Sequence, residues 1–203
     1  MRWLGLYLRS RGVPVALAVS VCVVAVVWGL FLGFSHHRDA GMRLVALAVM
    51  LAVVPVATTL AGPDDALERT ASLPWPPRRA AHLLAALAVV TGLLLATQAT
   101  AARFGPATVV LRDAAGLLGL TALGAAFLGA HRCWFAPVGW TLVVVPFLQP
   151  GGKAYEQGLA WMLQASGSRP ATAVAVTLAL VGAAAYTALG CPRRPASDPA
   201  AGS

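Results

Sequence analysis

The sequence predicts an all-α, polytopic integral membrane protein of about six transmembrane helices with an N-terminal interfacial helix, and three observations predict it. Of 203 residues, 59% are hydrophobic and only 11% charged, whereas a soluble domain carries about 25% charged residues because its surface needs them. Mean hydropathy is +0.76. Stretches without Asp, Glu, Lys or Arg run over 12–37, 44–63, 80–102, 114–130, 133–152 and 170–192, each near the roughly 20 residues that a helix needs to cross about 30 Å of hydrocarbon. Helices follow because an unpaired peptide group in hydrocarbon costs several kcal/mol. The Ala, Val and Leu content lacks the alternating polarity of a barrel.

Taken in order, residues 1–11 put Arg2 and Arg9 on one narrow helical face, with Trp3, Leu6, Tyr7 and Leu8 around the rest, the pattern of a helix lying in the headgroup layer, with a simple extension of the first span as the alternative. Arginines ahead of an apolar run resemble a signal peptide, but the run is too long and no A-x-A-like cleavage site follows, so it is expected to stay as an anchor. The first two spans are expected at about 13–35 and 44–62. Between them and the third, at 81–101, lies the longest charged loop, in which Pro74, Pro76 and Pro77 stop any helix that begins at Asp64. Without its terminal His131 the fourth uncharged stretch has 17 residues, which would cover only about 25 Å. That span is therefore extended to 107–130 with Pro106 at its start, which places Arg112 and Asp113 near an interface. Small residues at Gly116, Gly119, Gly124 and Gly129 suit close helix approach. A fifth span is expected at 134–150 and a sixth at 170–190. Between them Tyr155, Leu159, Trp161, Met162 and Leu163 are too apolar for a solvated linker, and a short interfacial or re-entrant helix fits them better. Residues 1–192 thus form one transmembrane domain and 193–203 a short disordered cytoplasmic tail.

Basic residues set the expected sidedness. With a cytoplasmic N-terminus, the inner side holds Arg2, Arg9, Arg11, Arg69, Arg78, Arg79, Arg132, Arg193 and Arg194, and the outer side Arg38, Arg43, Arg103, Arg112, Lys153 and Arg169. Nine against six puts both termini inside. The arginine-dominated composition suggests a GC-rich bacterial genome, hence the bacterial inner membrane. The net charge of +8 is scattered at the ends of apolar runs rather than gathered into a patch, which argues against nucleic acid and for lipid headgroups as partners.

Chemistry-bearing motifs are incomplete. Asp64, Asp65 and Glu68 resemble a magnesium-diphosphate cluster, but the second acidic cluster such chemistry needs is missing; they read instead as the capped start of a short cytoplasmic helix. Gly151-Gly152-Lys153 lacks the rest of a phosphate loop, and His36, His37, His82 and His131 have no zinc-ligand spacing. Cys22, Cys133 and Cys191 show no pairing or C-x-x-C pattern. The expectation is a chain without catalytic, cofactor-binding or metal-ligating residues. The spans lack the charges with which ion-coupled carriers relay protons; the candidate interior polar groups are Thr58, Thr59, Thr91, Gln98, Thr121, Thr141, Thr177 and Tyr186. Transport, if any, would draw energy from another chain docking on the loop of Asp64, Asp65, Glu68, Arg69, Arg78 and Arg79.

An amphipathic start at Met1 to Arg11, six spans, a cytoplasmic helix at Asp64 to Ser72 and a short helix at Tyr155 to Gln164 together resemble the membrane subunit of a type V ABC exporter. The resemblance is one of layout over the whole chain. It implies a translocation path formed with a second six-span subunit, the same or different, and a separate cytosolic ATP-binding subunit contacting Asp64, Asp65, Glu68 and Arg69. The alternative expectation is a non-catalytic membrane scaffold or accessory subunit.

Overall fold

The computed structural model describes residues 9, 11–35, 37–60, 75–100, 102–129 and 131–191. Its helices are α1 (Val13–Phe34), α2 (Met42–Ala57), α3 (Trp75–Ala96), α4 (Ala107–Leu128), α5 (Phe135–Phe147), α6 (Ala154–Leu159) and α7 (Arg169–Leu189). Single 3-10 turns continue α2 through Thr58–Leu60 and α3 through Thr97–Ala99, and a third follows α6 at Trp161–Leu163. Five of these segments are long and apolar enough to cross a bilayer, and α5 is a shorter apolar helix. The chain is an all-α, multi-pass membrane protein. The interfacial helix expected at residues 1–11 lies almost wholly outside the described residues; Gly12, at φ 67 just before α1, turns the backbone between Arg9 and Val13, a conformation that suits glycine.

Burial ranks the helices. The most apolar window is 78% buried in α4 and 61% in α2, but only 17% in α1 and in α7. The outer helices present Val26, Leu30 and Phe34 of α1, Leu84 of α3 and Leu180 and Val181 of α7 to the surroundings. Large aliphatic side chains exposed around a whole bundle need an apolar medium, which hydrocarbon provides.

Contacts at the helix ends divide the molecule into two faces. On one, the 35–41 and 100–106 connections pair, Ala40 N donating to Arg103 O at 2.9 Å and Arg103 N to Arg38 O at 2.8 Å. Arg43 donates to Gln149 there at 3.1 Å. On the other, Cys133 Sγ reaches Ala57 O at 3.5 Å and Tyr186 Oη donates to Leu60 O at 2.7 Å. We call these the re-entrant face and the terminal face, since residues 11 and 191 both belong to the latter.

The fifth segment ends earlier than expected. α5 stops at Phe147 after 13 residues, about 20 Å of helix, rather than at residue 150. Pro146 lies inside its last turn, Leu148 is extended, and Gly151 and Gly152 at φ 90 and 85 reverse the chain. Its flanks still join both faces, with Cys133 beside the end of α2 and Gln149 beside Arg43 at its start.

Candidate functional site

The tightest helix contact is made by two glycines. On α4, a Cβ at Gly119 would stand 2.5 Å from the Leu178 carbonyl carbon, and on α7 a Cβ at Gly182 would stand 2.8 Å from Gly119 Cα. The two backbones touch, and only hydrogen side chains permit it. Gly116 and Gly124 serve other neighbours: a Cβ at Gly116 would stand 2.5 Å from the Trp161 ring, and one at Gly124 would stand 2.7 Å from Cys133 O. Three turns of α4 therefore seat, in order, the re-entrant segment, α7 and the α4–α5 turn.

At the re-entrant face Arg112 and Asp113 lie close to the start of α4, as expected, and they are enclosed by protein: Arg112 is 6% exposed and Asp113 is fully buried. Starting at Ala107, α4 carries them about 8 Å from its start and turns them onto the 151–168 segment. Arg112 Nε donates to Asp113 Oδ1 at 2.9 Å, Nη2 to Gln164 O at 2.8 Å and Nη1 to Ala165 O at 3.1 Å. Gln164 in turn accepts from Gly151 N at 2.9 Å. Trp161, Met162 and Leu163 are completely buried beneath this clasp. Trp161–Leu163 is thus packed against α4, while Ala154–Leu159 buries no residue and leaves Tyr155 and Leu159 exposed; we call residues 154–163 together the plug. A buried ion pair is retained only where further hydrogen bonds satisfy it, and here two backbone carbonyls complete the guanidinium.

At the terminal face, Asp64, Asp65, Glu68 and Arg69 lie outside the described residues. The two flanks of their loop are described, and both are tied to the end of α7. Leu60 O accepts from Tyr186, which is 1% exposed. Arg79 donates to Thr187 O at 3.5 Å, lies 6.0 Å from the centroid of the Tyr186 ring and fills the space beside Gly190. A guanidinium over the C-terminal carbonyls of a helix is favoured by its dipole. Arg79 is therefore turned inward, while Arg78, exposed, lies over the Trp75 ring at 5.6 Å.

Between α1, α2 and α3 a cleft of about 80 Å³ opens near the terminal face. It is aliphatic except at one end, where Thr59 and His82 share a hydrogen bond of 2.9 Å. The other interior polar groups are not in the lining of this cleft. Thr91, Thr121 and Thr141 donate to carbonyls one turn back in their own helices, and Thr58 to Pro55 O, which satisfies a hydroxyl in an apolar span. Gln98 donates to Gly105 O, and Thr177 is exposed.

Among the described residues, no three His, Cys, Asp or Glu side chains come together in a metal-binding group. Arg112, Gln164 and Trp161 were missed by sequence reasoning as a site. The only signal was the apolar run Trp161-Met162-Leu163 in a loop beside Gln164. No protein-family model, curated protein or solved structure matches this chain.

Proposed function

We propose that the chain is the membrane-spanning subunit of an ABC-type transporter, driven by a separate cytosolic ATPase that docks on the loop of residues 64–79. One observation carries this reading: both flanks of that loop, Leu60 and Arg79, are hydrogen-bonded to the inner end of α7. A force applied to the loop would be delivered to α7, through the Gly119–Gly182 contact to α4, and through Arg112 to the plug at the opposite face. On this reading the terminal face is cytoplasmic, as the count of nine basic residues against six favours, and a second six-span subunit completes the path.

The test is purification of the tagged chain from its native membranes in mild detergent, with identification of co-purifying chains. Wild type is expected to recover an ATP-binding subunit. The double reversal Glu68→Arg/Arg69→Glu is expected to lower that recovery severalfold while the protein remains in the membrane. If wild type recovers only other membrane-embedded chains, or if the reversal leaves ATPase recovery unchanged, the transporter reading fails and an accessory role replaces it.

A further inference from the structure

We propose that the cleft between α1, α2 and α3 seats one acyl chain of an anionic phospholipid from the leaflet at the terminal face, with the Arg78 guanidinium on its phosphate. This inference shares Arg78 with the docking loop of the proposed function, but it is tested by lipid binding to the chain alone, without an ATPase.

The shape of the cleft selects a hydrocarbon chain. Val13 and Leu17 of α1, Val56 of α2 and Ala86 and Val89 of α3 line it, with Thr59 and His82 at its polar end. From His82 to Val89 the lining follows α3 for seven residues, about 10 Å, or some two-thirds of one leaflet of a 30 Å hydrocarbon core. Leu17 of α1 and Ala85 and Val89 of α3 are exposed at its edge, on helices whose apolar windows are only 17% and 33% buried. An apolar groove that opens onto hydrocarbon fills with hydrocarbon, because an empty one forfeits dispersion contacts along its whole wall.

The headgroup preference comes from charge. Positions 78, 82, 85, 86 and 89 recur at helical spacing, so Arg78 stands one turn outward from His82 on the face of α3 that lines the cleft. Arg78 is exposed and rests on Trp75, an aromatic of the kind that marks the headgroup level. The order from the membrane surface inward is therefore guanidinium, then the Thr59–His82 pair, then aliphatic wall, which matches phosphate, ester and chain. Counted by sequence, this side of the chain holds Arg2, Arg9, Arg11, Arg69, Arg78, Arg79, Arg132, Arg193 and Arg194 against Asp64, Asp65, Glu68 and Asp198, nine positive against four negative. Among the described residues all three carboxylates, Asp39, Asp113 and Glu156, sit toward the opposite face.

Native mass spectrometry of the delipidated protein, titrated with phosphatidylglycerol or phosphatidylcholine of identical chains, tests the proposal. Wild type is expected to hold one phosphatidylglycerol about fivefold more strongly than phosphatidylcholine, the difference one arginine supplies at a membrane surface. Arg78→Gln should abolish the preference while leaving chain binding. Ala85→Phe, which fills the cleft from its exposed rim, should remove both adducts. Equal affinities in wild type, or an undiminished adduct in a folded Ala85→Phe protein, would overturn the assignment. Should Ala85→Phe fail to fold, wild type is photolysed in vesicles with phosphatidylglycerol carrying a diazirine within its acyl chain. Adducts on α1 and α3 peptides around Leu17 and Val89 support the site, and adducts confined to other helices refute it.

Discussion

Replacing Arg112 by methionine isolates the clasp that holds the re-entrant plug. The substitution keeps the length of the aliphatic stem but removes three donors, those to Asp113 Oδ1 at 2.9 Å, Gln164 O at 2.8 Å and Ala165 O at 3.1 Å. Asp113, fully enclosed, is left as a buried carboxyl without its cation, a loss of about 3–5 kcal/mol. Two carbonyls also lose a donor, at about 1 kcal/mol each where water does not replace it. We expect Arg112→Met to destabilise by about 4 kcal/mol. The double variant Arg112→Met/Asp113→Leu removes the charge as well as its partner, and exchanging a buried pair for apolar groups is often close to neutral. It should recover at least about 2 kcal/mol relative to the sum of the two single variants. Reversible unfolding in mixed micelles of dodecyl sulfate and a mild detergent, followed by tryptophan fluorescence, measures all four corners of this cycle. An Arg112→Met protein within about 1 kcal/mol of wild type, or a strictly additive double variant, would show that Arg112 is solvated and not enclosed.

Two further outcomes follow from the packing and from the thiol at the α4–α5 turn. Gly182→Leu should cost about 1–3 kcal/mol or more, because a Cβ 2.8 Å from Gly119 Cα forces α4 and α7 apart. Gly29→Ala and Gly33→Ala on α1, where an added Cβ meets nothing within 4 Å, should be neutral or stabilising by up to about 1 kcal/mol; thermal melts in detergent that ranked all three alike would contradict the contact. Burial, with a smaller contribution from Cys191, pushes the Cys133 thiol up to about 11, so at pH 8 only about one molecule in a thousand carries the thiolate. A charged maleimide should label Cys133 at pH 8 far more slowly in the folded protein than after unfolding, and equal rates would place it in water.

The helical class and the membrane setting were legible because hydrocarbon leaves the backbone no alternative, and six uncharged stretches of roughly spanning length are a signal that no local detail can mask. The re-entrant segment was half legible: Trp161-Met162-Leu163 advertised an apolar environment, but not whether lipid or protein would supply it. What could not be read was pairing at a distance. Arg112 at the edge of an uncharged run looks like an interfacial residue until Gln164 and Ala165, more than fifty positions away, are brought to it. The glycines of α4 announced close approach, yet nothing in their spacing assigned Gly116 to an indole, Gly119 to Gly182 and Gly124 to Cys133. Thr91, Thr121 and Thr141 are interior, as expected, but that they satisfy themselves on their own helices is a choice that periodicity does not record. Arg78 and Arg79, adjacent in sequence, were assigned together to the docking loop; 100° of helix rotation sends one to the surface and the other onto α7.

The same contacts divide the bundle into a stiff half and a loose half. α4 and α7 touch backbone to backbone, and α4 holds the segment that carries the plug through two charge-assisted hydrogen bonds, so these elements form a block that reaches from the terminal face to the re-entrant face. α1 is joined to the rest differently. Ser20 Oγ donates to Ala52 O at 3.0 Å near mid-membrane, and Trp28 to Thr100 at the re-entrant end. At its other end, α1 borders the cleft that it shares with α2 and α3. Stiffness in a packed bundle follows close backbone contact and enclosed ion pairs, while a groove filled by exchangeable hydrocarbon offers little resistance to shear. A displacement of α7 by its Leu60 and Arg79 tethers would therefore move α4 and the plug as one body. The strain would fall on the α1–α3 cleft, where a lipid chain can be expelled or readmitted as the walls move.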